Sequence, residues 1–360
     1  FVLDDGWFGK RNDDTSSLGD WYPNLEKLPD GITGVARRVE EMGLKFGLWF
    51  EPEMTNKESR LYREHPDWIL SVPGRKVSVG RNQYVLDFSR EEVVNAIFEQ
   101  MKKVLTEAPI SYIKWDMNRS MSEVYSAGAG AKDQGKVMHK YILGVYRLYD
   151  MLTKEFPEIL FESCASGGAR FDPGLLYYAP QCWTSDDTDA VERCKIQYGT
   201  SFVYPVSSMG AHVSAVPNHQ LLRNTSLETR ANVAYFGTFG YELDPNRLTE
   251  EEKEEVKAQI TFMKQYRHLI QYGTFYRLLS PFEGNETAWM VVSEDKTRAI
   301  VGYYKVLQSV NGPYKKVRLQ GLDPDRKYHV AGMEPGKYEE DLYGDELLWY
   351  GLNVSDASSG

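Results

Sequence analysis

Lys114-Trp115-Asp116-Met117-Asn118-Arg119 closes one apolar, strand-like run, and Trp183-Thr184-Ser185-Asp186-Asp187-Thr188-Asp189 closes another. Their acids Asp116 and Asp186 lie 70 positions apart (186 minus 116). In a barrel of alternating strands and helices one repeat takes roughly 30 to 35 residues, so the spacing predicts two repeats. The two carboxylates would then stand at the C-terminal ends of different strands, opening onto one pocket. Aspartate is disfavoured inside strands, which makes two unrelated surface aspartates the weaker reading. Two carboxyl groups flanking a sugar bond can break it, one as nucleophile and the other as proton donor and then base.

Working outward, short β-rich runs that end in polar residues alternate with helical patterns. The predicted strands are Phe1 to Asp4, Lys45 to Glu51, Tyr84 to Asp87, Ser111 to Asp116, Ile159 to Cys164, Cys182 to Ser185, Ser201 to Ser207 and Ala231 to Gly240. Ser89 with Glu92 reads as a capping box ahead of Val94, Ile97, Phe98, Met101 and Val104 on one helical face. A second helix is predicted from about Lys136 to Phe156, and a third is opened by Thr249 with Glu252. This alternation predicts an α/β fold of the (β/α)8-barrel type. After about Tyr272 the runs Thr287 to Val292, Arg298 to Tyr304 and Lys316 to Leu319 follow one another without helices, which predicts a small antiparallel β domain. The expected division is therefore a catalytic barrel over residues 1–271 and a β domain over 272–360.

Composition narrows the class. With 360 residues, 42% hydrophobic and 13% aromatic, the chain can bury a large core. A net charge of -10 argues against nucleic acid or an anionic membrane as partner, since those surfaces are themselves negative. No apolar run approaches the roughly 18 residues of a membrane span. Cys164, Cys182 and Cys194 are odd in number and widely spaced, suggesting reduced thiols in a cytoplasmic enzyme. The chain opens at Phe1 inside an apolar run, which leaves room for a signal or a domain ahead of it.

Polar residues collect at the predicted strand ends: Asp4 and Asp5, Trp49 and Glu51, Asp116, Cys164 and Asp186. Side chains alternate along a strand, so Lys114 and Asp116 share a side. Lys114 is therefore expected beside Asp116, where a cation favours the ionised carboxylate that a nucleophile requires. Its alternative is a structural salt bridge inside the barrel. Metal and dinucleotide motifs are weak. Gly128-Ala129-Gly130 has Asp133 where a third glycine is needed, no HExxH or paired CxxC occurs, and Asp187-Thr188-Asp189 lacks the glycine of a calcium loop. His212 and His219 read as packing or pocket-rim residues. No cofactor and no metal is expected.

Six runs, in order, carry a resemblance: Phe1-Val2-Leu3-Asp4-Asp5-Gly6-Trp7-Phe8-Gly9, Gly47-Leu48-Trp49-Phe50-Glu51-Pro52-Glu53, Lys114 to Arg119, Cys164-Ala165-Ser166-Gly167-Gly168-Ala169-Arg170-Phe171-Asp172, Trp183-Thr184-Ser185-Asp186-Asp187 and Ser208-Met209-Gly210-Ala211-His212. The sequence resembles the bacterial α-galactosidases of glycoside hydrolase family 36. That resemblance implies a retaining, exo-acting enzyme on terminal α-galactose, as in melibiose and raffinose, and a homo-oligomeric parent. It implies Asp116 as nucleophile and Asp186 as acid/base. Asp4 and Asp5 would take galactose hydroxyls O4 and O6, Lys114 and Arg81 the O3 and O4 side, Trp49 an apolar wall, and Cys164 with the Gly167 backbone the 2-hydroxyl. By themselves Trp49 also reads as barrel core, Arg81 as a solvated loop charge, Cys164 as a small buried apolar residue and Gly167 as a turn former. The residues alone favour those readings for the last three.

The sequence departs from the family pattern in lacking a large N-terminal β-sandwich and a first barrel strand with a Trp-Glu-Ala motif, and Val354 to Gly360 stop short of the usual end. On this reading Tyr84 to Asp87 belongs to an excursion after the Trp49 strand, leaving seven of eight barrel strands; pattern counting alone gives eight. Seven strands expose two ladder edges, so residues 1–360 alone are expected to be poorly soluble and nearly inactive. Alternatives are a transglycosidase of the raffinose- or stachyose-synthase kind, a metal-dependent hydrolase using Asp4, Asp5, Asp116 and Asp186, and a non-catalytic sugar-binding role.

Overall fold

The computed structural model describes residues 1–308, 310, 314–333 and 338–354; the end of the predicted β domain, 355–360, lies outside them. The chain forms two compact units, Phe1–Trp183 and Thr184–Gly360.

The first unit is built on five parallel strands, Val2–Leu3, Gly47–Phe50, Tyr112–Trp115, Leu160–Ser163 and Gln181–Trp183. Each pairs with the next in that order, in registers such as Val2 with Gly47, Gly47 with Tyr112 and Tyr112 with Leu160. Helices Gly31–Glu41, Glu91–Glu107, Val137–Glu155 and Pro173–Tyr178 fill the connections. Strands neighbouring in sequence and in space, each joined through a helix, are the barrel-type winding that the alternation predicts. The core follows the periodicity. Val94, Ile97, Phe98, Met101 and Val104 are all buried, and together with Tyr141, Val145 and Leu148 they belong to one cluster with Leu48, Phe50, Ile113 and Trp115.

The predicted strand Tyr84 to Asp87 is confined to Tyr84–Val85 and pairs antiparallel with Met54–Thr55. It belongs to an excursion and not to the parallel sheet, as the resemblance implies. Ser89 does not cap the helix that follows. Its hydroxyl turns back to Asp87 Oδ1, and Arg90 occupies the N-cap position without a side-chain cap.

The second unit contains helix Ala190–Thr200, the parallel strand pair Met209–Ser214 and Thr238–Glu242, helix Leu227–Ala234 between them and helix Glu250–Tyr272. Two predicted strands are corrected here. Ser201 to Ser207 is the exit from a helix: Tyr204 N donates to Thr200 O at 3.0 Å, and Pro205, which cannot donate to a ladder, precedes a short 3-10 turn. In the run Ala231 to Gly240 the first residues are helical, because Ser226 Oγ accepts the Thr229 N–H and starts a helix upstream. The strand begins only after Gly237, where a Cβ would stand 2.7 Å from Ala211 Cβ and 2.8 Å from Met209 O. The capping box at Thr249 and Glu252 forms as predicted. A three-stranded antiparallel sheet, Thr274–Leu279, Glu286–Val292 and Ala299–Lys305, follows with two small strand pairs. One short helix unforeseen in the sequence, Gly344–Trp349, lies among them. The first unit carries five parallel strands and the second two, both in the winding of a (β/α)-barrel type of fold, and small antiparallel sheets follow in the second unit. Among the described residues no helix is long and apolar enough to cross a membrane.

Candidate active site

Asp116 follows the last residue of the strand Tyr112–Trp115, and its backbone N–H donates to Phe50 O at 2.8 Å, which extends the parallel ladder by one step. The carboxylate is buried, and donors surround it. Oδ1 accepts the Met117 N–H at 2.8 Å; Oδ2 accepts Trp49 Nε1 at 3.2 Å and Asn118 Nδ2 at 2.5 Å. Cys164, at the end of the next strand, hydrogen-bonds to it as well. Burial, then the Asp116 charge and that hydrogen bond, raise the Cys164 thiol far above its ordinary value, so it stays a thiol.

Lys114 pairs with Asp4, its Nζ donating to Oδ2 at 3.0 Å. The sequence reading placed this cation against Asp116; the ion pair it makes is with Asp4 instead. Strand register explains this. Lys114 stands level with Trp49 on the neighbouring strand, and the next strand over carries the Asp4 end. Burial opposes the ammonium charge, but Asp4 and Glu162 more than offset it and leave Lys114 above its ordinary value. Asp5 is held by Arg11, whose Nε and Nη2 reach its two oxygens at 3.0 and 2.8 Å. Asp4 remains largely exposed and Asp5 partly so, each with lone pairs to spare for a ligand's hydroxyls. Asp4, Trp49, Lys114, Asp116 and Cys164 are thus brought together.

The two remaining candidates of this unit sit in turns with unusual backbone. Arg81 (φ 50°) and Asn82 (φ 58°) occupy a tight turn closed by Gln83 N to Gly80 O at 3.0 Å. Ser166 (φ 48°) and Gly167 (φ 81°) form another, in which Ala165 N donates to Gly167 O at 2.7 Å. Left-handed conformations outside glycine cost energy and cluster at functional sites. The Arg81 charge reaches as far as Glu51.

Asp186 belongs to the second unit. Its loop is fastened by Arg193 from the helix that follows: Nε donates to Asp187 O at 2.7 Å, Nη2 to Ser185 O at 2.6 Å, and Nη1 to Thr184 Oγ1 at 2.6 Å and Gly210 O at 3.0 Å. Burial lowers Arg193 to about 10, against the acids Glu242, Asp187 and Asp186, so it is still charged at neutral pH. Asp189 caps the helix, accepting the Val191 and Glu192 N–H groups at 3.0 and 3.1 Å, and pairs with Arg223.

Sequence reasoning gave no role to several residues of this architecture. Glu51, noted only as a strand-end acid, is fully buried and accepts Gln83 Nε2 at 2.9 Å and the Asn118 N–H. Glu53, two residues on, serves a different network: Arg170 grips it at 2.7 and 2.8 Å, Trp115 Nε1 donates at 2.9 Å and Tyr141 Oη also donates. The signal available was two acids around Pro52 in an otherwise apolar stretch. Arg193 gave none, since a lone arginine on a helix ordinarily faces water.

Comparison with known families decides the assignment: the Melibiase family model matches residues 1–273 and that of the Glycosyl hydrolase family 36 C-terminal domain matches residues 286–359. The chain belongs to the melibiase family. It is 58% identical over 358 residues to alpha-galactosidase AgaA of Geobacillus stearothermophilus, covering 99% of this chain and 48% of that protein. It is 51% identical to alpha-galactosidase Mel36A of Lactobacillus acidophilus, covering 98% and 47%. A crystal structure of a doubly substituted AgaA in complex with raffinose superposes with a TM-score of 0.96 at 57% identity, covering 99% of this chain and 49% of that one. The chain thus spans about half the length of these relatives.

Proposed function

We propose that this chain carries the catalytic machinery of a retaining, exo-acting α-galactosidase that removes terminal α-linked galactose from oligosaccharides such as melibiose and raffinose. The observation that carries the reading is the Asp116 site, a carboxylate held in one orientation by Trp49, Met117 and Asn118, next to an Asp4–Lys114 pair with free lone pairs. Asp116 attacks the anomeric carbon. Asp186 protonates the departing oxygen and then takes a proton from water. Asp4 and Asp5 accept hydrogen bonds from O4 and O6, Lys114 and Arg81 donate on the O3 and O4 side, Trp49 packs on the sugar face, and Cys164 with the Gly167 backbone meets the 2-hydroxyl. The catalytic domain spans 1–271 and the β domain 272–360. The names of the relatives, and the raffinose seen in one of them, support the substrate class. Three buried free cysteines support a reducing, cytoplasmic setting, and a homo-oligomer is the assembly we expect.

The test is turnover of an aryl α-galactoside with NMR detection of the first sugar released. Double displacement gives α-galactose first. β-Galactose as the first product would instead mean a single displacement by water, and the nucleophile assignment would fall.

A further inference from the structure

Glu51 is a buried acid to which the mechanism above gives no task. It stands just past the strand Gly47–Phe50 and accepts the backbone N–H of Asn118 and Nε2 of Gln83, the latter at 2.9 Å. Asn118 is also the residue whose side-chain Nδ2 donates to Asp116 Oδ2 at 2.5 Å, while its Oδ1 accepts Ser166 Oγ at 3.2 Å. The same side chain is within hydrogen-bonding reach of Glu51. One amide is therefore contested by two carboxyl groups. A second observation is the setting of that acid: Glu51 is fully buried, and the Asp116 carboxylate shares Asn118 with it. Two buried carboxylates around one amide repel each other, which favours a proton on one of them.

We propose that Glu51 is a positioning residue that works as a neutral acid, fixing Asn118 through its backbone so that the Asn118 amide serves Asp116 alone. The proposal rests on Asp116 being the nucleophile. Once ionised, Glu51 competes for the amide and places a second negative charge beside the first, and the nucleophile loses its fixed orientation. The charged groups that face Glu51 are Asp116, from the neighbouring strand end, and Arg81, from the turn at 80–83. Glu53, close in sequence, is neutralised by Arg170. Burial, then the Asp116 charge, push Glu51 up to about 8; the hydrogen bonds from Asn118 and the Arg81 charge pull the other way without prevailing. The neutral form therefore predominates at neutral pH and is lost as pH rises through that value, which predicts an alkaline limb in kcat/KM set by Glu51.

The experiment compares the pH profile of kcat/KM on nitrophenyl α-galactoside for the wild-type protein and Glu51→Gln, which keeps the shape and cannot ionise. We expect a wild-type alkaline limb near pH 8 that moves upward by at least about one unit, a tenfold change in proton activity, in the variant. A limb that stays in place overturns the proposal, because a merely structural Glu51 would not hold it. Infrared spectra of the wild type, with isotope-labelled glutamate, give a readout independent of turnover and of the variant's folding. A protonated glutamate carbonyl band at neutral pH, lost as the pH rises past about 8, is expected; absence of that band refutes the neutral-acid role. Were the wild type to turn over no α-galactoside, the functional reading would fail while the spectra still decided the state of Glu51.

Discussion

Arg193→Met removes the fastening of the Asp186 loop, and its cost can be worked from the structure. The guanidinium donates four hydrogen bonds, to Asp187 O, Ser185 O, Thr184 Oγ1 and Gly210 O, at 2.6 to 3.0 Å. At a net ~1 kcal/mol each these sum to about 4 kcal/mol, since the bonds stabilise the fold only after the desolvation of the arginine is subtracted. That burial is real: the side chain is 3% exposed and its charge is disfavoured enough to bring it to about 10. Methionine fills much of the volume but leaves three carbonyl oxygens and a hydroxyl without their donor. If the loop carries the proton donor, as proposed for Asp186, freeing it by about an ångström costs roughly 10²-fold in rate, but only where protonation of the leaving group matters. The assay pairs urea unfolding with kcat/KM on two α-galactosides, one with an activated dinitrophenolate leaving group and one with methanol. The expected result is a loss of several kcal/mol and a rate loss at least tenfold larger for the methyl glycoside than for the activated one. Equal losses on both substrates, or a stability change under about 1 kcal/mol, would refute the clamp.

Three further outcomes are expected. Asp116→Ala abolishes turnover of every substrate, whereas Asp186→Ala keeps activity on activated aryl galactosides and is rescued by azide, which needs no base, with retained product; azide rescue of Asp116→Ala with retained product and of Asp186→Ala with inverted product would exchange the two roles. Galactose offers its axial O4 on the side of O6, where the proposed function puts Asp4 and Asp5, so α-galactosides should exceed α-glucosides by at least about tenfold in kcat/KM, since an acceptor left unpaired once the sugar covers it costs roughly 1 to 3 kcal/mol; equal rates would sink this. For Glu53, burial favours the neutral acid, but the Arg170 charge and the hydrogen bonds of Arg170, Tyr141 and Trp115 overturn it and hold the carboxyl below its ordinary value. Its stabilisation is therefore full above the unfolded-state value near 4.3 and lost as pH falls through the lower folded value. Arg170→Met strands the charge at a cost of about 3 to 5 kcal/mol and should move acid unfolding to higher pH, whereas an unchanged acid midpoint would show that the pair contributes nothing.

What the sequence revealed and what it hid have physical reasons. The 70-residue spacing of Asp116 and Asp186, the buried helical stripe from Val94 to Val104 and the capping box at Thr249 are local or periodic signals, and the structure follows the latter two directly. Ser201 to Ser207 and Ala231 to Gly240 were misread because apolar, aromatic stretches look alike in a strand and at a helix end. Caps upstream and Pro205 decide between them, and those signals lie at the edges of the runs. Ser89 with Glu92 had the letters of a capping box, but the Asp87 carboxylate took the serine hydroxyl. In the site, the acids at strand ends were legible because strand ends are where polar residues stop an apolar pattern. The partners of Lys114 and Asp116 were not. Asp4 lies 110 residues from Lys114, and the link from Glu51 through Asn118 to Asp116 depends on a turn that takes Glu51 and Glu53 to different neighbours.

The central claim is that Asp116 forms a covalent bond to galactose. Incubation with a 2-deoxy-2-fluoro galactosyl donor bearing an activated leaving group slows breakdown of the intermediate, and mass spectrometry of a proteolytic digest then locates the label. The account predicts a single labelled peptide containing Lys114 to Arg119, modified at Asp116, with inactivation proceeding in step with labelling. Label on another acid, or steady turnover to β-galactose with no labelled peptide, would contradict it.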